Sequence, residues 1–161
     1  MPRLMTMALA SDNTQFLTQA RTRLARERAV RIVGEAREAR EAAALVTHRR
    51  PTLVLLDVAL PPAGGLPILR QIRKRSPKTR TLVIDARFDE GRVLRVAKAG
   101  AHGYMVAEAV PGYLAKAVRV MAAGEVWFSR KLMGKVVDEL QRLVRIRGII
   151  TRRQKPVGSR P

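Results

Sequence analysis

Five short apolar runs alternate with five segments of helical periodicity between residues 4 and 124, and this alternation constrains the chain more than any other feature. The runs are residues 4–10, 30–34, 52–56, 81–84 and 103–106. Val30-Arg-Ile-Val33, Leu53-Val-Leu-Leu56 and Leu82-Val-Ile84 are β-branched or Leu-rich, as strands buried on both faces must be. Between the runs lie stripes at three- and four-residue spacing. Phe16, Leu17, Ala20 and Leu24 form one in residues 13–26. Residues 38–48 are Ala-rich with Leu45 and Val46. Leu66, Leu69 and Ile72 mark residues 66–75, Val93, Val96 and Ala97 mark 89–99, and Leu114, Ala117, Val118 and Met121 mark 111–123. Pro111 suits a first helical turn, and Gly100 and Gly124 suit helix ends. Short connections between alternating elements imply a five-stranded, doubly wound parallel sheet of the α/β class, with helices on both faces and right-handed crossovers.

In such a sheet the chemistry sits beyond the C-terminal strand ends. Those ends carry Ser11 and Asp12, Asp57, Asp85, and Ala107 with Glu108. A further stripe, Leu132, Val136, Val137, Leu140, Leu143 and Val144, predicts a helix over residues 129–147 with Ser129 as its N-cap. The expected organisation is a domain over residues 1–127, a helical extension over 128–148, and a basic disordered tail over 149–161.

Composition narrows the function classes. No cysteine is present, which excludes disulfides and thiolate metal sites. His48 and His102 lack metal-ligand spacing and read as surface or loop residues. No Ser–His–Asp or Cys–His set is apparent, so an enzyme is not expected. Gly64-Gly65 is a turn into a helix and lacks the Gly-Lys-Ser/Thr of a phosphate-binding loop. No run is long enough to span a membrane and the first ten residues read as a strand, so a cytoplasmic protein without membrane contact is expected. Thirty-two Lys and Arg against thirteen Asp and Glu give a net charge of +19. That balance fits an anionic partner, or equally a surface whose basic residues are spread over most helices.

Val54-Leu-Leu-Asp57-Val-Ala-Leu-Pro61, with Gly65 eight residues after the Asp, resembles the phospho-acceptor loop of response regulator receiver domains. Ala99-Gly-Ala-His-Gly-Tyr104-Met-Val resembles their fifth-strand motif. Ala122-Ala-Gly-Glu-Val-Trp127-Phe-Ser129 is similar to the end of the last receiver helix in the NarL/FixJ (LuxR-type) regulators. Three motifs in order on five β–α units carry the resemblance over residues 4 to about 140. It implies two-component signal transduction and transcription regulation, with a kinase, another regulator or a second copy of the chain as partner, the last giving a homodimer.

The resemblance also implies roles at five positions. Asp57 is the candidate phospho-acceptor, and Asp12 matches the second member of an acidic pair that helps hold Mg²⁺, so Asp12 and Asp57 are the candidate metal ligands. Three positions depart: Ser11 stands for the first acid, Asp85 for a Ser or Thr, and Ala107 for a Lys. Ala107 removes a cation and Asp85 adds an anion; a like-charge contact at about 4 Å costs roughly 4 kcal/mol at an effective dielectric of about 20. An atypical receiver is therefore expected, with weak or absent phosphorylation of Asp57 and no obligatory cofactor; the alternative is a working site in which Arg87 replaces the Lys. The acidic pocket of Asp12, Asp57 and Asp85 would share a proton, hold a divalent cation or pair with an Arg, and an Arg or a shared proton is favoured over a metal. Tyr104 matches the family's switch aromatic, read here as a static ring. Trp127 is expected to pack between the last domain helix and the extension. Ile150-Thr-Arg-Arg-Gln154 resembles the opening of the helix-turn-helix domain that follows in such regulators. No recognition helix follows it within the 161 residues, so sequence-specific DNA binding is not expected of this segment. Ten basic residues against two acidic ones over residues 130–160 suit non-specific nucleic-acid contact.

Overall fold

The computed structural model describes residues 4–153. Its elements are β1 (Met5–Ala10), α1 (Thr14–Leu24), β2 (Val30–Ala36), α2 (Ala39–Arg49), β3 (Leu53–Asp57), α3 (Leu66–Arg75), β4 (Arg80–Asp85), α4 (Glu90–Lys98), β5 (Gly103–Val106), α5 (Val110–Ala122) and α6 (Arg130–Arg153), with a 3-10 turn at Ala107–Ala109. The five strands form one parallel sheet in the order β2-β1-β3-β4-β5. This is the doubly wound α/β architecture that the alternation implies.

The period-two geometry of a strand sorts each apolar run onto two faces. Met7, Leu9, Leu53, Leu55, Leu82 and Ile84 join Leu17, Leu24, Leu114 and Met121 in one aliphatic core, on the side where α1 and α5 pack together. The alternate residues Ala8, Val54, Leu56 and Val83 are also fully buried, as are Ile68, Leu69, Ile72, Val93 and Val96 of the helices. Each Leu so buried contributes about 1.5–3 kcal/mol.

Local signals set the helix ends. Asn13 caps α1 by accepting from Phe16 N at 3.1 Å, and Asp89 caps α4 by accepting from Arg92 N at 3.0 Å. Gly65 ends the loop after β3 where the chain doubles back on itself. A Cβ there would lie 2.7 Å from the Asp57 carbonyl oxygen, so only glycine permits the approach.

Two compact units divide between Phe128 and Ser129. The second contains α6, which Ser129 caps by accepting from Leu132 N at 3.2 Å. The helix runs past Gly148 to Arg153, beyond the expected end at residue 147. One exposed glycine costs a helix only about 1 kcal/mol and does not by itself stop it. The expectation of a disordered tail is thereby corrected for residues 149–153; residues 154–161 lie outside the described residues. No helix among the described residues is long and apolar enough to cross a membrane.

Candidate functional site

The C-terminal ends of β1, β3 and β4 bring Ser11, Asp57 and Asp85 to one edge of the sheet, since β1 pairs with β3 and β3 with β4. Ser11 is fully buried and its hydroxyl donates to Asp57 Oδ2 at 2.6 Å. The Ala59 amide donates to Asp57 Oδ1 at 2.9 Å. Both oxygens of this half-buried carboxylate therefore have neutral donors. Asp12, next in the chain, is exposed, and its backbone oxygen accepts from Arg37 at 3.3 Å. Arg37 also donates to Thr14 Oγ1, so it ties the β1–α1 loop to the end of β2.

Asp85 has different company. It is 2% exposed, and Arg92 of α4 grips it with two bonds, Nε to Oδ2 at 2.7 Å and Nη2 to Oδ1 at 3.2 Å. The Tyr104 hydroxyl donates to the same Oδ2 at 2.5 Å. A buried carboxylate requires such pairing, and the forked guanidinium supplies it with fixed geometry. The Asp85 contact raises the Arg92 pKa above its usual range. Burial, and then the bond to Asp85, push the Tyr104 phenol above its usual value. The backbone bond from Arg92, with further help from the Arg92 and Arg95 charges, holds the Asp89 carboxyl below the usual range.

Of the expected acidic pocket, Asp57 and Asp85 have separate partners, and Asp12 is exposed. Asp85 takes an Arg, Arg92 of α4. The exposed Arg87 uses its backbone, its oxygen accepting from Arg92 Nη2 at 3.3 Å. The pairing also offsets the charge that Asp85 would set against Asp57, so the expected like-charge penalty is smaller than a bare anion would give. Ala107 is packed against the aliphatic core and brings no cation.

Asp12 and Asp57 are the two carboxylates at this edge that would hold a divalent cation. Mg²⁺ requires a near-octahedral shell of oxygens, commonly carboxylates with water and phosphate. Here Ser11 commits its hydroxyl hydrogen to Asp57, leaving two carboxylates, and among the described residues no three His, Cys, Asp or Glu side chains are grouped to hold a metal.

Around the site, Tyr104 is 5% exposed, with Phe88 edge-on at 6.4 Å between ring centroids. Trp127 packs partly buried against the aliphatic core, 6.5 Å from the Tyr113 ring. Its backbone has a role the side-chain reading did not foresee. It accepts from Tyr104 N at 2.9 Å and donates to His102 O at 3.0 Å, covering part of the β5 edge. His102 lies in the bend before β5, half-buried, and its Nδ1 accepts from Thr81 N at 3.1 Å. His48 ends α2, on the wall of a groove of about 830 Å³ between α2 and α3.

With this geometry in place, comparison with known proteins decides the family. Residues 7–119 match the response regulator receiver domain. The chain belongs to that family. It is 29% identical over 138 residues to the transcriptional regulatory protein DegU of Brevibacillus brevis, covering 86% of this chain and 58% of that protein. It is 31% identical over 127 residues to the nitrate/nitrite response regulator NarL of Escherichia coli (strain K12), covering 79% and 59%. The chain thus spans about three-fifths of the length of the curated relatives it matches. A solved LuxR-family two-component response regulator from Aurantimonas sp. SI85-9A1 superposes with a TM-score of 0.76 at 27% identity, over 84% of this chain and 96% of that one. The receiver domain assigns the chain to two-component signalling, in which such domains act as signalling modules and engage kinases or other proteins.

Proposed function

We propose that this receiver is an atypical, single-state signalling module that acts through protein–protein contacts and is not controlled by phosphorylation of Asp57. The observation that carries this reading is the Asp85–Arg92–Tyr104 set. Asp85 stands where the family has a hydroxyl, and a carboxylate that is already gripped cannot donate a hydrogen bond to a phosphoryl oxygen. It also holds Tyr104 inward through a charge-assisted bond. Moving the ring outward would leave one buried carboxylate oxygen with fewer donors, so the ring has one favoured position. Asp57 is itself satisfied by Ser11 and Ala59, and the Lys position is Ala107. An added dianionic group would meet no free cation from that position.

Partners in this reading are other proteins of the transcription-control pathway, among them a second copy of the chain. Val137, Leu140 and Val144 of α6 are exposed at helical spacing and offer an apolar stripe to a protein surface. The test is intact-mass measurement after incubation with Mg²⁺ and acetyl phosphate. The proposal expects no adduct at Asp57. A stoichiometric adduct, lost in Asp57→Asn, would show that the family chemistry runs despite the three changed positions.

A further inference from the structure

We infer that the outer face of α3 is a binding surface for the phosphate backbone of duplex nucleic acid, engaged without regard to base sequence. Between Asp57 and Asp85 the chain has no acidic residue, while Arg70, Arg73, Lys74, Arg75, Lys78 and Arg80 all fall there. Arg80 is spoken for, donating to the backbone oxygens of Gly124 and Glu125 at 3.2 and 2.9 Å. The other five are exposed, and none makes a hydrogen bond or ion pair with another described residue. Elsewhere Arg21, Arg119 and Arg142 each meet a glutamate, while Arg26, Arg28 and Arg31 are exposed without such a partner but are interrupted by Glu27 and so serve as a control. A helix dipole favours cations in the last turn, which accounts for Arg73, Lys74 and Arg75. It does not account for Arg70, for Lys78 beyond the helix, or for the missing carboxylates.

The surface is held in shape. Ile68, Leu69 and Ile72 anchor the opposite face of α3 in the core. Buried Ser76 and Thr79 bond each other at 2.6 Å, and Thr79 Oγ1 donates to Pro51 O at 2.7 Å, fixing the turn that carries Lys78. The Arg73 stem lies across Gly100, with Cδ 2.9 Å from where a Cβ would stand. Arg70, Arg73 and Lys74 then line one cleft of about 670 Å³ against the end of α4, with Gln71 and Ala99. Three cations within four residues of one helix, about 6 Å at 1.5 Å per residue, suit the dense charge of a duplex.

The choice of partner follows from what the face lacks. None of the exposed large apolar residues lies on it. Protein interfaces draw their energy from buried aromatic anchors, with Arg beside them, and are depleted in Lys, and single strands need aromatic stacking platforms. A row of cations without either matches phosphate contact alone.

The test compares two variants of equal net charge in the full chain: Arg70→Gln/Arg73→Gln/Lys74→Gln, and the control Arg26→Gln/Arg28→Gln/Arg31→Gln. Binding to a duplex of random sequence is followed by fluorescence anisotropy between 50 and 200 mM salt, with thermal melting to confirm folding. Each lost phosphate contact lowers the log–log salt slope by about 0.9. The α3 variant is expected to show a slope shallower by about 2.7 and at least tenfold weaker binding at about 50 mM, while the control stays close to the unaltered protein. Equal losses in both variants would reduce the effect to bulk charge and overturn the inference. So would absence of binding by the unaltered chain, or a polyglutamate peptide that competes as well as the duplex at equal charge.

Discussion

Replacing Tyr104 with Phe is the most informative single change, because it removes one oxygen from the Asp85 cluster and leaves the ring in place. The lost bond is short, 2.5 Å, lies in the core, and ends on a carboxylate. Hydrogen bonds to charged groups contribute about 1.5–3 kcal/mol. Arg92 still grips Asp85 in the variant, so the carboxylate is not stranded and the cost stays within that range. For a domain of this size, about 3–4 °C per kcal/mol gives a melting point lower by roughly 5–10 °C. The assay is a double-mutant cycle, with urea unfolding of Tyr104→Phe, Asp85→Ala and the pair. In the Asp85→Ala background the tyrosine oxygen has lost its acceptor, and its removal is expected to cost less than about 0.5 kcal/mol, leaving a coupling of about 1–2.5 kcal/mol. Equal cost in both backgrounds would mean that the bond does not hold the ring, and the single-state reading would lose its support.

Other consequences can be checked alongside. Ser11→Asp, Asp85→Thr and Ala107→Lys introduced together return the three departing positions to the family pattern, and the variant is expected to form an acetyl phosphate adduct at Asp57 where the unaltered chain is expected to form none; indifference of both would separate the chemistry from those positions. Gly65→Ala puts a Cβ 2.7 Å from the Asp57 carbonyl oxygen, with an expected loss of about 1–3 kcal/mol, and an unchanged melting point would contradict it. His102 has its pKa lowered by burial first and then by Arg80 and Arg73, and it must stay neutral to accept from Thr81. The unfolded chain therefore binds more protons than the folded one below about pH 6.5. Stability from this group is complete above that pH and falls as pH drops toward the lowered value; His102→Gln should flatten that part of the stability curve in denaturant titrations between about pH 7 and 5. In α6, Leu140→Glu with Val144→Glu is expected to abolish any concentration-dependent self-association seen by analytical ultracentrifugation, and unchanged association would place the contact elsewhere.

The framework was legible because burial leaves a periodic trace. Leu53–Leu56 and Leu82–Ile84 are apolar at every position since each strand has a helical layer on both faces, and the helices between carry one stripe each. The strand ends then follow from topology, which is how Ser11, Asp57 and Asp85 could be named together. What they touch was not legible. Asp85 could be seen to need a cation, but among 32 basic residues nothing in the sequence distinguishes Arg92 from Arg87. The choice depends on how α4 starts: Asp89 caps it, and the first turn swings Arg92 back over the end of β4. The Ser11–Asp57 bond joins residues 46 apart, and only the fold brings that hydroxyl to that carboxylate. Trp127 was legible only in part: its side chain advertises the packing it does against the core, while the bonds its backbone makes at the β5 edge carry no sequence signal.

The central claim, that this receiver keeps one state, is tested most directly by amide and tyrosine-ring NMR with and without Mg²⁺ and beryllofluoride. Unchanged resonances at Ser11, Asp57, Asp85, Arg92 and Tyr104 at saturating reagent are the predicted result. Saturable, Asp57-dependent shifts that reach the Tyr104 ring would contradict it, and would show that Asp85 can release the ring after all.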